Sequence, residues 1–428
     1  MYDQSFCRRT LDCVLWKRDF SNLPAVANKA VFRETTLTNA VVSAATQFNT
    51  PTKPLVCFSL QGKKIFQLAK LQDELVVRKL VKNLKRCVPQ FAESRSRIVS
   101  NLQLLLAEGV PYRVYRLDIR SFYESFQKND VLETVRELRY LSPQSKTLIE
   151  TLLNTHAEMG GSGIPRGLSL SATLSDLRMK QFDLLIRSKE DTFYYARYVD
   201  DIVIVTSAME KKTEFMTWIK NSLPSGLKLN PDKRKIVEFQ GKVAAKANDI
   251  TSSLIISFDY LGYTFSVRDP TKGEKNKKRN SDLNRYVSID ISNRKIKKLK
   301  TRIVRSFIDF ISNKGNRNAW ELLRDRILFL TQNFSVYNPK TGNREKAGIY
   351  HSYPLVADNS AGLIELDCFF RNAVLARTGR VFSKSVLLLS RKQKQRLLSF
   401  SFVQGHQTQG FVYFSAKRIH EIQRCWAY

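Results

Sequence analysis

The chain has 428 residues and carries 71 Lys and Arg against 39 Asp and Glu, a formal net charge of +32. An apolar fraction of 43% and an aromatic fraction of 11% exclude an intrinsically disordered chain, and the lack of any run of eighteen apolar residues excludes a membrane-spanning helix. So large a basic excess favours a nucleic-acid partner, because phosphate neutralisation releases counterions. An anionic membrane surface is the competing interpretation.

The spacing of cysteine and histidine argues against a metal site or a disulfide framework. No Cys-x-x-Cys or Cys/His cluster occurs among the cysteines, which are Cys7, Cys13, Cys57, Cys87, Cys368 and Cys425. The histidines also lack ligand spacing; they are His156, His351, His406 and His420. The opening residues MYDQSFCRRTLDC contain no apolar core of signal-peptide length. We therefore expect a cytoplasmic protein with reduced thiols.

The first strong periodicity lies at 71–86, where leucines recur near helical spacing and basic residues occupy other positions, so a helix is predicted. A second helix is predicted at 95–108. Alternation from residue 114 onward predicts a strand, and Asp118 stands where that strand ends. The sequence thus leads from a helical region into a sheet.

Glycine, serine and proline between 161 and 167 predict a loop, and a helix follows with Ser169 or Ser171 as its N-cap. Two β-type runs with a polar break then make up the segment FYYARYVDDIVIVT. This pattern predicts a hairpin with Asp200 and Asp201 near its tip.

The C-terminal half begins with a β-type run at 258–267, and a polar, basic stretch at 268–282 then predicts a linker. The segment 292–313 is predicted to be an amphipathic helix with lysine and arginine around one apolar face. That face consists of Ile296, Leu299, Ile303, Phe307 and Phe310. Helical patterning returns at 318–331 and 360–376. The predicted fold class is therefore α+β.

Three aspartates are the candidate catalytic residues. Nucleotidyl transfer needs charge neutralisation on a triphosphate and an activated 3′-hydroxyl, and two Mg²⁺ ions held by carboxylates supply both. Asp118 ends one predicted strand, and Asp200 and Asp201 lie together on a hairpin tip. An ordinary surface turn also favours Asp. Here apolar residues flank the pair on both sides, and burying two carboxylates without a cation is unfavourable.

Five motifs in chain order resemble those of reverse transcriptases. They are Leu117–Tyr123, Ile164–Ser169, Tyr198–Asp201, Gly226–Lys233 and Tyr260–Tyr263. The resemblance implies a right-hand polymerase fold with fingers, a palm built on an antiparallel sheet, and a helical thumb. The implied domains are 1–112 (N-terminal extension and fingers), 113–267 (catalytic palm with interleaved fingers elements), 268–390 (linker and helical thumb) and 391–428 (basic C-terminal tail).

The resemblance also implies roles for residues around the aspartates. Asp118 and Asp200 would bind two Mg²⁺ ions, and Asp201 would assist. Ile119 would offer its backbone carbonyl as a further ligand. Tyr123 would act as a steric gate against the ribose 2′-hydroxyl, and its alternative interpretation is a core aromatic residue.

Further roles concern the substrate, the template and the primer. Arg166 and Gly167 would lie under the incoming base and the template, where glycine allows close backbone approach. Lys233 would protonate the departing pyrophosphate or contact a phosphate, and Lys235 competes for this role. The pair Leu261–Gly262 would form the tight turn of a primer grip.

Basic residues outside the motifs are the remaining candidates. Arg78 in the helix at 71–86 would hold the triphosphate, and its competitors are Lys79, Lys82 and Arg86. The helix at 292–313 resembles a thumb helix that follows the minor groove of a duplex. The nucleic-acid contacts implied there are Lys295, Lys298 and Arg302. A solvated basic face is the alternative for this helix.

Three segments resemble the compact bacterial reverse transcriptases of the unknown group, which include the defence-associated enzymes, and favour the second defence-associated type. They are Arg116–Phe126, Ile164–Ser171 and Ala347–Val356. No ribonuclease H pattern, zinc knuckle or nuclease motif is recognisable beside them. The resemblance implies antiphage function, with a structured noncoding RNA as template, dNTPs as substrates and DNA as product.

Two alternatives stay open at this point. A retron-type enzyme would be primed from a branched RNA, but Val199 and the lack of an Asn-Ala-x-x-His stretch argue against it. A protein-primed, template-independent polymerase of the abortive-infection class would need a tyrosine primer, and 16 tyrosines are present. An RNA-binding scaffold without activity is disfavoured because the carboxylates are intact.

Overall fold

The computed structural model describes residues 2–20, 28–49, 53–60, 62–87, 93–239, 254–268, 285–337 and 344–427. Over these ranges the helices are α1 (Arg8–Asp12), α2 (Lys29–Ala45), α3 (Leu71–Cys87), α4 (Arg95–Leu106), α5 (Phe122–Ser125), α6 (Lys128–Arg136), α7 (Pro143–Glu158), α8 (Ser169–Arg187), α9 (Lys212–Ser222), α10 (Asn293–Ser312), α11 (Arg317–Thr331), α12 (Ile349–Ser352), α13 (Ala361–Leu375), α14 (Phe382–Leu388), α15 (Arg391–Leu398), α16 (Phe402–Gln407) and α17 (Ala416–Arg424).

The strands over the same ranges are β1 (Leu55–Leu60), β2 (Lys63–Leu68), β3 (Tyr112–Asp118), β4 (Thr192–Tyr198), β5 (Asp201–Thr206), β6 (Lys235–Phe239), β7 (Leu254–Tyr260), β8 (Tyr263–Arg268), β9 (Tyr286–Ile291), β10 (Asn333–Tyr337), β11 (Arg344–Gly348) and β12 (Phe411–Val412). The mixture of helix and sheet confirms the predicted α+β class. Apart from residue 268, the linker predicted at 268–282 lies outside the described residues.

The chain divides into two compact units. The first comprises Met1–Glu93 and Val110–Gly241, and the second comprises Ser94–Gly109 and Lys242–Tyr428. Helix α4 therefore groups with the second unit, although it precedes most of the first unit in the sequence. The four domain ranges implied by resemblance follow other boundaries and stay a prediction.

The first unit is built around an antiparallel sheet with strand order β4-β5-β3-β6. The two central strands are almost fully buried, because β-branched and aromatic residues fit a pleated surface covered by helices. Tyr115 and Leu117 of β3 join Ile202 and Ile204 of β5 in one hydrophobic core. The second sheet of this unit is the β1–β2 hairpin. This core fixes where the central strands end.

Two helices of the first unit were predicted, α3 from its periodicity and α8 from its position after the loop at 161–167. Helix α3 confirms the helix predicted at 71–86, and Leu75, Leu80 and Leu84 are completely buried. The N-cap prediction for α8 is wrong: the cap is Leu168, in extended conformation and without a side-chain cap bond. Neither predicted serine takes this place, because Ser169 is already helical, and the hydroxyl of Ser171 donates to the carbonyl of Pro165.

The second unit contains two three-stranded sheets and a bundle of helices. Strands β7, β8 and β9 form an antiparallel sheet, so the β-type run predicted at 258–267 is the end of one strand, a turn and the next strand. The other sheet has the order β11-β10-β12. Helix α10 confirms the predicted amphipathic helix, and it buries Ile296, Ile303, Phe307 and Phe310.

The segment predicted as a basic tail at 391–428 is folded over its described part. Strand β12 pairs in parallel with β10, and Ile422 of α17 is completely buried. The indole Nε1 of Trp426 donates to the carbonyl of Arg302 at 3.0 Å, which attaches this segment to α10. Across the described residues, the search for a helix both long and apolar enough to traverse a bilayer found none.

Candidate active site

Two of the three aspartates face each other across the central strands of the first unit. Asp118 is the last residue of β3, Asp201 is the first residue of β5, and the two are directly paired in the antiparallel register. Such pairs carry their side chains on the same face with Cβ atoms about 5 Å apart. Asp118 is only 4% exposed. The strand pairing therefore brings together the carboxylates that the sequence predicted would meet.

The third aspartate is held by the tight turn between β4 and β5. Tyr198 pairs with Asp201, so Val199 and Asp200 form the whole loop. Val199 has φ of +61°, a left-handed conformation that is unfavourable for a β-branched residue. The backbone N–H of Ile119 donates to the carbonyl of Asp200 at 3.1 Å. This bond fixes the strained turn against the end of β3 and keeps Asp200 beside the other two.

The electrostatics of the cluster reflect three carboxylates in a poorly solvated place. Burial, followed by the charges of Asp200 and Asp118, raises the pKa of Asp201 to about 6. Burial is also the main cause that raises the pKa of Asp200. Arg116 and Lys233 oppose the shift at Asp201 but do not cancel it. The ionised cluster would gain from an added cation.

The carboxylates at this site can be compared with the ligands that a metal ion requires. Among the described residues, no group of three or more His, Cys, Asp and Glu side chains is arranged so that it could hold a metal ion. Mg²⁺ in phosphoryl-transfer sites uses only one or two carboxylates and takes its other oxygens from substrate and water. The three aspartates fit that requirement by chemistry.

Lys233 and Asn230 both lie at Asp118. The ammonium of Lys233 donates to Asp118 Oδ2 at 2.8 Å, although 52% of the lysine side chain is exposed. The amide Nδ2 of Asn230 donates to Asp118 Oδ1 at 3.2 Å, and its backbone N–H donates to the Asp118 carbonyl at 2.7 Å. Lys235, the competitor, lies on β6 opposite Arg116. Asn230 was not among the predicted site residues, although it lies within the Gly226–Lys233 motif.

Tyr123 and Arg166 lie next to each other near Asp200. The guanidinium of Arg166 is 5.2 Å from the centre of the Tyr123 ring, and it donates twice to Glu124, at 2.7 and 3.1 Å. Burial raises the pKa of Tyr123, with contributions from the charges of Asp176 and Asp200. The predicted gate and the predicted base contact are thus part of one cluster, and Glu124 was missed because its partner is 42 residues away.

Gly167 lies where the backbone has no room for a side chain. Its φ is +110°, and an added Cβ would come within 2.5 Å of the Phe66 carbonyl oxygen. The N–H of Phe66 donates to the Arg166 carbonyl at 2.8 Å, so strand β2 contacts this loop directly. The N–H of Ile164 donates to the Tyr123 carbonyl at 2.8 Å. The loop is therefore fixed between β2 and the segment that follows Asp118.

Arg78 is engaged elsewhere, contrary to what a triphosphate contact needs. Its guanidinium donates to both carboxylate oxygens of Asp19, at 2.7 and 3.1 Å, and stacks on Trp16 at 3.4 Å from the ring centre. Glu74 accepts a third bond at 3.1 Å. Its competitor Lys79 is also buried and donates to the Asp3 carbonyl at 2.6 Å. These contacts give both residues a structural role, so we do not carry Arg78 into the proposed site.

The predicted primer-grip turn lies in the second unit. Leu261 and Gly262 form the two-residue loop between β7 and β8, with φ of +48° and +83°. The Nε of Arg95 donates to the Leu261 carbonyl at 2.8 Å, and the N–H of Ser292 donates to the Gly262 carbonyl at 3.1 Å. Arg95 also donates to the carbonyl of Ser352 at 2.9 Å. No local pattern indicates a role for Arg95, because its partners are far away along the chain.

The predicted thumb contacts share one face of α10, at positions i, i+3 and i+7. They are Lys295, Lys298 and Arg302. Burial and the neighbouring charges of Lys298 and Arg95 lower the pKa of Lys295, and burial lowers that of Arg302. Like charges crowded on one helix face repel one another, so an anionic partner would relieve the repulsion. These three side chains form a crowded basic surface on α10.

The fold and the site together define a class. A mixed helix-and-sheet chain with carboxylates converging at the end of an antiparallel sheet has the arrangement expected of a right-hand polymerase fold. Residues 66–265 match the family model described as reverse transcriptase (RNA-dependent DNA polymerase). The chain therefore contains a reverse transcriptase domain, the catalytic domain of RNA-directed DNA polymerases.

Two other comparisons add nothing to this assignment. A structure of apo telomerase from Candida tropicalis, truncated from its C-terminal domain, aligns with 15% identity and a TM-score of 0.31, over 58% of this chain and 49% of that one. The chain thus spans about half the length of that structure, and the likeness is too low to carry an argument. Comparison with curated proteins gave no match.

Proposed function

We propose that the chain is a reverse transcriptase that extends a DNA 3′-hydroxyl with dNTPs on an RNA template. The observation that carries this proposal is the direct pairing of Asp118 with Asp201, with Asp200 fixed at the same strand end. The reverse transcriptase domain at 66–265 supports the template and product classes.

The cofactor we propose is a pair of Mg²⁺ ions. Asp118, Asp200 and the carbonyl of Ile119 would hold them, with Asp201 assisting. When bound, the ions neutralise the triphosphate and activate the primer hydroxyl. The raised pKa values of Asp200 and Asp201 support this assignment, because buried carboxylates that repel one another gain from a counter-charge.

Lys233 is proposed to act on the leaving group. Its ammonium neutralises Asp118 in the described state, and its half-exposed side chain leaves it free to turn toward the departing pyrophosphate, as proton donor or as phosphate contact. Asn230 would keep Asp118 oriented while Lys233 moves, because it bonds both the side chain and the backbone of that residue.

Tyr123 is proposed to exclude ribonucleotides. The ring is packed against Phe122, at 5.3 Å between ring centres, and lies beside the guanidinium of Arg166. A ring fixed in this way cannot move aside for a 2′-hydroxyl. We expect Tyr123→Ala to incorporate ribonucleotides more readily than the wild type, and an unchanged dNTP-to-rNTP preference would return Tyr123 to a core role.

The nucleic acids would be held by the second unit as well as by the first. We propose that Leu261 and Gly262 contact the primer and that the basic face of α10 follows the primer–template duplex. The crowded positive charge of that face supports this. Arg166 and Gly167 are proposed to lie under the incoming base and the template.

The biological role we propose is antiphage defence, with a structured noncoding RNA as template. It rests on the sequence resemblance to compact defence-associated enzymes. Sequencing the RNA and DNA that co-purify with the protein tests it: one RNA species with its complementary DNA is expected. Homopolymeric DNA, or DNA attached to protein, would favour the protein-primed, template-independent alternative, and a branched RNA–DNA product would favour the retron-type alternative.

The activity itself is tested with the double substitution Asp200→Ala and Asp201→Ala. We expect DNA synthesis on a primed RNA template to be abolished and RNA binding to be nearly unchanged, because both removed groups act on the reacting phosphates. Glu190→Ala, an exposed acidic residue before β4, is the matched control and should keep full activity. Undiminished synthesis by the double variant would falsify the assignment.

A further inference from the structure

Part of one face of the β11-β10-β12 sheet packs in a hydrophobic cluster, and the other face carries exposed rings. Phe334 of β10 and Val412 of β12 pack with Phe414 and Ile422 in a hydrophobic cluster. Side chains alternate between the two faces of a strand, so the neighbours of these residues point away from the cluster. The outward residues form what we term the aromatic face, which comprises Ser335, Arg344, Lys346, Phe411 and Tyr413.

Two large rings of the aromatic face are exposed to solvent. Phe411 is 53% exposed and Tyr413 is 66% exposed. Phe411 lies on β12 and Tyr413 directly follows this strand, so continued alternation places the two rings on the same side, about 7 Å apart. Val412 and Phe414 between and after them are turned inward. The rings are therefore excluded from the core by the register of the strand itself.

Positive charge accompanies the rings. The guanidinium of Arg344 lies 4.8 Å from the centre of the Tyr413 ring, and its Nη2 donates to the Tyr413 hydroxyl at 3.2 Å. Lys346 is exposed on the same face, opposite Ser335. The acidic residue of β11, Glu345, pairs with Val336 on the opposite face. In the described parts of these strands, the register thus places cations and no carboxylate beside the rings.

We propose that the aromatic face binds an unpaired segment of RNA. Exposed rings on a sheet stack with splayed bases, and adjacent Arg and Lys residues contact the phosphates. An apolar protein partner would not need the cations, and an acidic one would not need flat rings. The inference rests on the proposed function for its choice of RNA over DNA: RNA enters the reaction as a free strand, whereas the DNA product forms paired to it.

This site is separate from polymerisation in its chemistry. None of its residues is among those proposed to bind metal, nucleotide, template base or primer. An unpaired segment held there would retain a structured RNA on the protein while another segment is copied. The face would thereby contribute to template choice rather than to the rate of synthesis.

Binding is tested on the full chain already saturated with a blunt-ended RNA–DNA duplex, so that the polymerase site is engaged. The probe is a fluorescent 12-nucleotide oligouridylate followed by anisotropy. We expect Phe411→Ala with Tyr413→Ala to weaken binding by about tenfold for each ring. Phe411→Tyr with Tyr413→Phe keeps both rings and should bind nearly as the wild type does. Tyr286→Ala, a similarly exposed tyrosine of the same unit, is the control.

Several outcomes would overturn the proposal. They are equal affinity of the ring-free variant and the wild type, equal loss in the Tyr286→Ala control, and tighter binding of the matching deoxyuridine oligomer. Concentration-dependent self-association that vanishes with the rings, without any change in RNA affinity, would assign the face to a second copy. Because the assay measures no synthesis, it can succeed or fail independently of the test on Asp200 and Asp201.

Discussion

The two units each place a two-residue hairpin turn at a proposed functional point, and each turn begins with an apolar residue at positive φ. The turn between β4 and β5 begins with Val199 at φ of +61°, and the turn between β7 and β8 begins with Leu261 at +48°. Asn is the usual residue at such a position, since apolar side chains rarely adopt it. Both turns adopt this unfavourable conformation, and in both a hydrogen bond to a loop carbonyl stabilises it.

The difference lies in what each turn presents. After Val199 comes Asp200, so the first turn presents a carboxylate, and it is held by the backbone N–H of Ile119 and by the guanidinium of Arg197, which donates to the Val199 carbonyl. After Leu261 comes Gly262, so the second turn presents bare backbone, and it is held by the backbone N–H of Ser292 and by the guanidinium of Arg95. A catalytic carboxylate must be held at a defined position at the strand end. A turn that contacts a nucleic acid through its backbone needs only a defined backbone conformation.

The largest effect is expected from removing the side chain that holds the second turn. Arg95→Ala should raise the KM for primer–template by about tenfold, since a charged hydrogen bond to a carbonyl is lost. The kcat should change by less than about twofold, because Arg95 is proposed to act on primer position and not on the reacting atoms. Steady-state primer extension measures both constants.

Arg95→Lys separates geometry from charge. One ammonium cannot reproduce the guanidinium's bonds to the carbonyls of both Leu261 and Ser352, so the lysine variant should resemble the alanine variant. Full rescue by lysine would mean that Arg95 acts through charge alone, and the parallel between the two turns would then fail.

A smaller effect is expected from Gly262→Ala. The added Cβ would meet only the flexible ends of Arg95 and Lys295, at 3.2 Å, so the cost is the strain of alanine at φ of +83°, about 1–2 kcal/mol of unfolding free energy. Urea denaturation measures it. Gly379→Ala has a φ of +103° with no neighbouring atom within 4 Å, and it should cost a similar amount without raising the primer KM. A much larger loss of unfolding free energy in Gly262→Ala would mean that the side chains around the turn cannot move away from the added methyl group.

The smallest effect comes from relieving the strain. Val199→Asn and Leu261→Asn should each stabilise the protein by on the order of 0.5–1 kcal/mol, because asparagine tolerates the left-handed conformation. Activity should stay within about twofold in both, since the carbonyls remain fixed. A stabilised Val199→Asn variant with little activity would show that the valine side chain itself positions Asp200.

Sequence reasoning succeeded where the signal was local. Strand alternation placed Asp118 at a strand end, and two β-type runs placed Asp200 and Asp201 at a hairpin tip; the structure confirms both. Helical periodicity likewise located α3 and α10. Each of these predictions depends on residues within one element, where spacing alone decides which side is buried.

Sequence reasoning failed for contacts between residues that are far apart in the chain. Arg78 looked available because nothing nearby in the sequence shows that Asp19, 59 residues away, would bind it. Arg95 was missed because Leu261 is 166 residues away. Strand β9 was not predicted, although its residues alternate, because it follows the polar stretch interpreted as a linker. Contacts over such distances form only in the assembled fold, so a local sequence pattern cannot predict them.

The attachment of Trp426 to α10 has a consequence for the order of folding. The indole bonds the carbonyl of Arg302, a residue 124 positions earlier in the chain. A ribosome adding about 5–20 residues per second would need roughly 6–25 s to supply that partner. During this interval the basic helix α10 has emerged without its final packing. A chaperone, or the RNA itself, could then engage α10 before the second unit is complete.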